Sequence, residues 1–378
     1  CRGGIFVRIL LAAGGTAGHI NPAIAVADCV KKKDKTAEIL FAGTPNGMEA
    51  RLIKQAGYRF VPIRVHGFQR SVTPKNVVRN LEAAYRLATS NFASSRILRE
   101  FQPDVVIGTG GYVSGPLVRK AAQKGIYTAI HEQNAFPGVT NKMLAKKVDL
   151  VFLAVEEAKK HFPQTCKTIV VGNPVREKVL LKTREEARME LKMDDHFCIL
   201  SFGGSLGAVK INEIAADMMA WHWKDGNINH IHACGRLGKK VFPGMLADRG
   251  IKPQENPRLD LREYIDNMDV CLAAADLVVC RAGALTLSEL EATGKPSILV
   301  PSPNVAENHQ YHNAMVLQQH GAAIVIEEKY YDREKLIEQL ENLYQHPDVL
   351  RQYGKNASSL AILDTADRIY SEISAHFS

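Results

Sequence analysis

Val7-Arg-Ile-Leu-Leu-Ala-Ala13 runs directly into Gly14-Gly15-Thr16-Ala17-Gly18-His19, then Asn21-Pro22 and the helix-forming stretch Ala23 to Val30. An apolar run closed by glycines and followed by a helix is the opening of a βαβ unit. Asn21 is a suitable N-cap, and Pro22 at a first helical position gives up no hydrogen bond, so the spacing predicts a helix starting there. The same pattern recurs downstream. Phe197-Cys-Ile-Leu-Ser-Phe202 precedes Gly203-Gly204-Ser205-Leu206-Gly207-Ala208, with a helix predicted from Lys210. Two such openings, one in each half, imply two doubly wound α/β domains in tandem.

The intervening segments agree. Asp104–Gly108, Thr128–Ile130 and Thr168–Val171 in the first half are short apolar runs ended by glycine or polar residues, as are His230–Cys234, Leu277–Cys280 and Ser297–Val300 in the second. Near-continuous apolar strands alternating with helical segments argue for parallel sheets covered on both faces. A chain of 378 residues has room for two such domains, and Gly172-Asn173-Pro174 marks the join. The expected limits are 1–172, 173–362 and a closing helix over 363–378, opened by Asp364-Thr-Ala-Asp-Arg-Ile369.

Composition excludes several classes. No stretch of eighteen apolar residues is present, so no transmembrane span is expected. Ile5 to Ala13 ends in a glycine turn and not a small-residue cleavage site, so it reads as a strand and not a signal peptide. The first residue is Cys1 and not Met, which suggests the continuation of a longer product. Seven scattered cysteines without a CxxC pair suit reduced thiols better than a disulfide frame or a zinc site. The net charge of +8 is compatible with anionic partners or with a merely soluble surface.

Glycine turns ahead of helix N-termini offer free N–H groups to an anion. Neither turn is GxGxxG or GxxxxGK[ST], so a nicotinamide cofactor and a P-loop are not supported. Gly108-Thr109-Gly110-Gly111-Tyr112-Val113-Ser114-Gly115-Pro116 is a third glycine cluster at a strand end. With Gly14, Gly15, Thr16 and Gly18 it forms a candidate phosphate cup, to which Tyr112 and Ser114 contribute. His19 stands near a helix N-terminus, where the neutral ring is favoured; it is a candidate general base or a structural group. His131-Glu132-Gln133-Asn134 puts four polar residues at another strand end, and Glu132 is the second candidate base. His230 and His232 share a strand face without an obvious third ligand, and no Asp-X-Asp occurs, so no metal is expected. Near Ala284, Leu285 and Thr286 backbone N–H groups could hold a diphosphate. Glu289 could bind ribose hydroxyls or complete a capping box with Thr286. His309 and Gln310 follow another strand and could read sugar hydroxyls or cap a helix.

Together these residues resemble the MurG family, the lipid II-forming N-acetylglucosaminyltransferases. Eight motifs carry the resemblance in order: Gly14–His19, Gly108–Pro116, His131–Asn134, Thr140-Asn-Lys, Gly172-Asn-Pro-Val-Arg176, Gly203–Ala208, Arg281–Glu289 and Asn308–Ala314. It implies a GT-B fold, two Rossmann-like doubly wound parallel-sheet domains facing a cleft, with the last helix returning to the first domain. It implies inverting transfer of N-acetylglucosamine from UDP-N-acetylglucosamine to the 4-hydroxyl of the lipid I muramoyl sugar, with no cofactor. By the resemblance, Arg176, Ser205 and the Ala284-Leu285-Thr286 turn face the donor diphosphate, the backbone of Ile265 meets uracil, and Glu289 the ribose. Asn134, His309 and Gln310 approach the transferred sugar, while Gly14, Gly15, Thr16, Gly18, His19, Gly110, Gly111, Tyr112 and Ser114 hold the acceptor. Ala17, where the family usually has glycine, and Leu206, where a polar residue is common, depart from the pattern.

A lipid acceptor and a chain without an anchor call for a docking face. Arg70-Ser-Val72-Thr-Pro-Lys75-Asn-Val77-Val78-Arg79-Asn-Leu81 mixes bases with apolar residues, and from Pro74 its spacing predicts a helix with Val77, Val78 and Leu81 on one face. Leu117, Lys142, Lys146 and Lys147 are expected beside them. Partners are therefore UDP-N-acetylglucosamine, lipid I and an anionic membrane surface, with other cell-wall synthesis proteins possible and nucleic acid excluded. The expected location is peripheral, on the cytoplasmic face of the cell membrane. The alternatives are a GT-B transferase with a soluble acceptor, or a nucleotide-binding protein or dehydrogenase.

Overall fold

A computed structural model of the chain describes residues 7–63, 91–223 and 226–377. The chain divides into two units, Cys1–Pro174 with Asp364–Ser378, and Val175–Leu363. The crossovers thus fall at Pro174 and Asp364.

The first unit is built on a seven-stranded sheet: β1 (Arg8–Ala13), β2 (Glu38–Gly43), β3 (Arg59–Pro62), β4 (Val105–Gly110), β5 (Tyr127–Glu132), β6 (Leu150–Leu153) and β7 (Thr168–Val170). Its strand order is β3-β2-β1-β4-β5-β6-β7, and every pairing is parallel. Alternation along β1 decides the layers. Ile9, Leu11 and Ala13 join a core with Ile20, Val26, Ile369 and Ile373, so the helix Ala17–Lys33 and the C-terminal helix Thr365–Phe377 cover one face. Leu10 and Ala12 join Ile97, Leu98, Leu117 and Val118 on the other, under helical residues 91–101 and the helix Ser114–Gln123. Ile369 and Ile373 lie one turn apart, which is why this short helix docks by a single stripe. The exposed Lys33–Asp367 pair at 2.5 Å adds little by comparison.

The second unit holds β8 (Phe197–Phe202), β9 (Ile228–Ala233), β10 (Leu259–Arg262), β11 (Leu277–Cys280), β12 (Ser297–Leu299) and β13 (Ala323–Val325). Their order is β10-β9-β8-β11-β12-β13, again all parallel. In both sheets the order reverses beside the first strand of the unit, between β1 and β4 and between β8 and β11. Such a reversal opens a crevice at the carboxyl ends of the strands, where ligands of open α/β sheets bind.

Three expectations are corrected or left aside. The first helix begins at Ala17 with Thr16 as N-cap, not at Pro22, which lies inside it. Pro22 cannot donate to the carbonyl of Gly18, and a glycine at that position yields to the proline ring most easily. Leu117 is fully buried and cannot join an exposed patch, because the helix Ser114–Gln123 turns that side to the sheet. Val77, Val78 and Leu81 lie outside the described residues. Beside Lys142, Lys146 and Lys147, the exposed apolar side chains are Val139 and Met143. The six described cysteines are free, and four of them are buried. Among the described residues no helix is long and apolar enough to cross a membrane.

Candidate functional site

In the first unit the switch-point turns after β1 and β4 touch backbone to backbone. A Cβ on Gly111 would lie 2.2 Å from the carbonyl oxygen of Gly14, and one on Gly110 would lie 2.5 Å from Nδ1 of His19. Both glycines have positive φ, so shape and conformation alike forbid a side chain there. Gly15 has φ of +89° with open space on its Cβ side, the bare surface a close-approaching ligand requires.

His19 is fixed from several directions. Its backbone carbonyl accepts the Thr109 hydroxyl at 2.7 Å, and its Nδ1 lies 3.1 Å from Oε1 of Gln133. Gln133 Nε2 in turn donates to the carbonyl of Thr109 at 2.8 Å and meets Nδ1 of His131 at 3.0 Å. His131 Nε2 reaches the carbonyl of Gly172 at 2.9 Å. Burial holds the His131 pKa down at about 4, so that ring is neutral near pH 7. Three adjacent strand ends, those of β1, β4 and β5, therefore converge on one imidazole.

Two expected site residues, the candidate base Glu132 and the acceptor contact Ser114, have other work. Glu132 is buried and its carboxylate accepts four hydrogen bonds, from Asn134 N and Nδ2 and from Gly138 N and Asn141 Nδ2, at 2.8 to 3.1 Å. It has no lone pair left for a substrate proton and serves to shape the loop after β5, which removes it as a candidate base. Ser114 is buried too; its hydroxyl lies 2.8 Å from the carbonyls of Ala12 and Gly110 and accepts the Gly110 N–H. It fastens the two turns and does not face a ligand. Tyr112 projects outward.

Glu49 was not singled out in the sequence. Its buried carboxylate accepts from Gly15 N at 3.3 Å and from Thr44 N and Oγ1 at 2.9 and 2.5 Å. Burial opposes its charge, but the bonds from Thr44 and the backbone outweigh that and hold the carboxyl below its ordinary range. The N–H of Gly15 is thereby taken. The free donors are those of Ala17 and Gly18 in the first helical turn. Thr44-Pro-Asn-Gly47 ahead of a helix is the only sequence signal for Glu49, and it looks like any turn.

In the second unit the turn after β8 carries Gly204 and Gly207 at positive φ. A Cβ on Gly207 would meet the Cys234 carbonyl at 2.2 Å, so the turns after β8 and β9 also pack backbone to backbone. Gly204 has φ of +87° and, like Gly15, open space beside it, with Ser205 and Leu206 exposed next to it. Across the switch point the helix Ala284–Ala292 starts with Gly283 as N-cap. Leu287 N donates to Gly283 O at 3.0 Å, leaving the N–H groups of Ala284, Leu285 and Thr286 directed out of the helix end. Glu289 lies too deep in this helix to form a capping box. Its carboxylate is held instead by Arg176, with Nε–Oε1 at 2.6 Å and a terminal nitrogen to Oε2 at 3.0 Å.

His309 and Gln310 open the helix His309–Gln319. They follow Glu307 and Asn308, both left-handed with φ of 54° and 49°. Each such non-glycine residue costs about 1–2 kcal/mol, a strain typical of functional turns. His309 Nδ1 bonds the carbonyl of Ala306 at 2.7 Å, and Gln310 Oε1 accepts Ser302 N at 2.8 Å. Ile265 buries its side chain in the loop after β10 and leaves only its backbone to a ligand. Among the described residues no group of three or more His, Cys, Asp or Glu side chains is placed to hold a metal ion.

Residues 9–153 match the glycosyltransferase family 28 N-terminal domain, and residues 198–369 the family 28 C-terminal domain. A protein of Acetivibrio thermocellus named UDP-N-acetylglucosamine--N-acetylmuramyl-(pentapeptide) pyrophosphoryl-undecaprenol N-acetylglucosamine transferase is 42% identical over 365 residues, covering 96% of each chain. A protein of the same name from Ruminiclostridium cellulolyticum is also 42% identical, over 96% of this chain and 98% of that one. The crystal structure of Acinetobacter baumannii MurG superposes with a TM-score of 0.77 at 29% identity, covering 98% of this chain and 99% of that one. The UDP-GlcNAc 2-epimerase of Neisseria meningitidis shares the fold with a TM-score of 0.66, at 12% identity over 97% of this chain and 99% of that one.

Proposed function

Since this chain belongs to the MurG family of glycosyltransferase family 28, we propose that it moves N-acetylglucosamine from UDP-N-acetylglucosamine to the 4-hydroxyl of the muramoyl sugar of lipid I, forming lipid II of peptidoglycan. The observation that carries this reading is the pair of switch points. Each unit has a glycine-lined turn with a bare approach at Gly15 or Gly204 and free N–H groups at a helix end, which suits one diphosphate-bearing ligand per unit. Lipid I and the nucleotide sugar both carry one.

In this reading the first unit holds the acceptor. The N–H groups of Ala17 and Gly18 and the Gly110-Gly111 turn receive its diphosphate, and His19 Nε2 takes the proton of the attacking hydroxyl. The second unit holds the donor. The helix end at Ala284-Leu285-Thr286, Ser205 and Arg176 face the diphosphate, Glu289 the ribose, the Ile265 backbone the uracil, and His309, Gln310 and Asn134 the sugar. As the acceptor oxygen bonds to the anomeric carbon, the bond to the UDP oxygen breaks and its electrons leave with UDP. The helix dipole and Arg176 stabilise the negative charge that develops there. Transfer by a single displacement inverts the anomeric centre.

The enzyme acts peripherally at the cytoplasmic face of the cell membrane. Met143 and Val139, exposed beside Lys142, Lys146 and Lys147, support a docking face on the first unit. The test is transfer of labelled sugar from UDP-N-acetylglucosamine to a short-chain lipid I analogue. The expected product carries one added N-acetylglucosamine with inverted linkage. Hydrolysis or epimerisation of the nucleotide sugar without transfer contradicts the proposal.

A further inference from the structure

The bonds around Gln133 run in one direction. Gln133 Nε2 faces two carbonyl oxygens, of Thr109 at 2.8 Å and His131 at 3.1 Å, and an amide oxygen turned that way would face both lone-pair to lone-pair. The amide is therefore held with its NH2 toward them and its Oε1 toward His19. An amide oxygen can only accept, so the His19 nitrogen facing it, Nδ1, must carry the proton. The other end obeys the same logic. His131 Nε2 faces a carbonyl, so it is the protonated nitrogen; of the two Gln133 Nε2 hydrogens one goes to Thr109 O, and the other is shared between His131 Nδ1 at 3.0 Å and His131 O at 3.1 Å. His131 is fully buried, and burial pushes its pKa down to about 4, so this arrangement holds near neutrality.

We propose that Gln133 and His131 are positioning residues, a buried relay that locks His19 in its Nδ1–H tautomer and leaves the Nε2 lone pair to receive the acceptor proton. The relay runs His19 to Gln133 to His131 to Gly172, each group donating to the next. Free imidazole in water favours the opposite tautomer, with the proton on Nε2, so without the relay most neutral His19 has no lone pair at Nε2. When Nε2 takes the hydroxyl proton, the ring becomes a cation and Nδ1–H donates more strongly to Gln133 Oε1. Gln133 thus acts as a neutral counterpart of the carboxylate that orients histidine in a hydrolase triad. The relay is tied to the backbone at Thr109 and Gly172. Gly172 has φ of +84°, which aims its carbonyl inward, and Asn173 Nδ2 bonds the backbone of Gln133 at 3.1 Å. Of the nearby carboxylates, Glu132 accepts four hydrogen bonds from its own loop, and Glu49 is turned to Thr44 and the Gly15 N–H.

The inference rests on the reading of His19 as the base, and the experiment separates the two. In wild-type protein labelled with 15N-histidine, the His19 signals, assigned by their loss in His19→Gln, should show a pyrrole-type Nδ1 and a pyridine-type Nε2. In Gln133→Met the tautomer should reverse, and kcat should fall on the order of 10-fold or more with the donor KM unchanged. In Gln133→Glu the anionic acceptor should raise the basicity of His19 and move the acidic limb of the kcat profile to higher pH. A pyridine-type Nδ1 in the wild-type protein overturns the relay without recourse to any variant. So does Gln133→Met with wild-type kcat and pH profile while His19→Ala is inactive. Normal turnover in His19→Ala instead overturns the base assignment itself.

Discussion

Arg176 grips Glu289 side-on, with Nε 2.6 Å from Oε1 and a terminal nitrogen 3.0 Å from Oε2. Both residues are proposed donor contacts, so in the free protein each satisfies the other. The pair fixes the Glu289 carboxylate on the helix that starts at Ala284, where the proposed ribose contact would be made.

Glu289→Ala should therefore weaken UDP-N-acetylglucosamine binding by about 1–3 kcal/mol, the range for a hydrogen bond to a charged group. Calorimetric titration of the folded variant measures this. An unchanged dissociation constant leaves Glu289 only as the partner of Arg176.

Activity should persist in excess EDTA. The sequence has no Asp-X-Asp, and the proposed diphosphate contacts are N–H groups and an arginine. Turnover measured with and without chelator decides it; complete loss, restored by magnesium or manganese, contradicts the donor-site assignment.

Stability should fall with acid more steeply in the second unit than in the first. His222, His230, Ser201 and His232 form a buried chain of hydrogen bonds at 2.8 to 3.1 Å. Burial holds His230 well below its ordinary pKa and His232 at about 3. A folded pKa below the unfolded value of about 6.5 means that the unfolded state takes up protons first. The contribution is whole above about pH 6.5 and is lost as pH falls toward the folded value, at about 1.4 kcal/mol per unit for each group. Urea melts at pH 7, 6 and 5 should show this slope. His232→Phe, which keeps the ring packed near Phe242, should reduce it by about one proton. An unaltered slope in that variant contradicts the assignment.

Most of the fold was legible because parallel strands buried on both faces are apolar throughout. β8 and β11 begin and end where the pattern put them, at Phe197–Phe202 and Leu277–Cys280. The start of the first helix was misread because Asn21-Pro22 is a stronger local signal than Thr16, while the close packing of Gly111 on Gly14 sets the turn from a distance. His19 and the glycine turns could be read as a site from residue type alone. The relay behind His19 could not, since Gln133 lies 114 residues away and meets it only because β1, β4 and β5 are neighbours. Leu117 was misassigned because it follows the exposed Tyr112 loop with Arg119 two residues on, whereas its helix turns it toward Leu10 and Ala12.

Membrane docking should depend on the helix Val139–Leu144 and the lysines after it. Co-sedimentation with anionic vesicles should fall with added salt, since each base near the surface contributes about 1 kcal/mol. It should also fall in Lys146→Glu/Lys147→Glu and in Met143→Ser. Equal binding to neutral vesicles, or no effect of these variants, contradicts the docking face.

The proposed reaction needs one imidazole in the first unit to remove the acceptor proton while the second unit holds the donor. The most direct measurement compares kcat and the donor dissociation constant of wild-type protein and His19→Ala, with a short-chain lipid I analogue as acceptor. The expected result is a loss of about 10²–10⁴-fold in kcat, with the donor dissociation constant unchanged. Near-normal turnover, or a loss explained wholly by weaker donor binding, would contradict it.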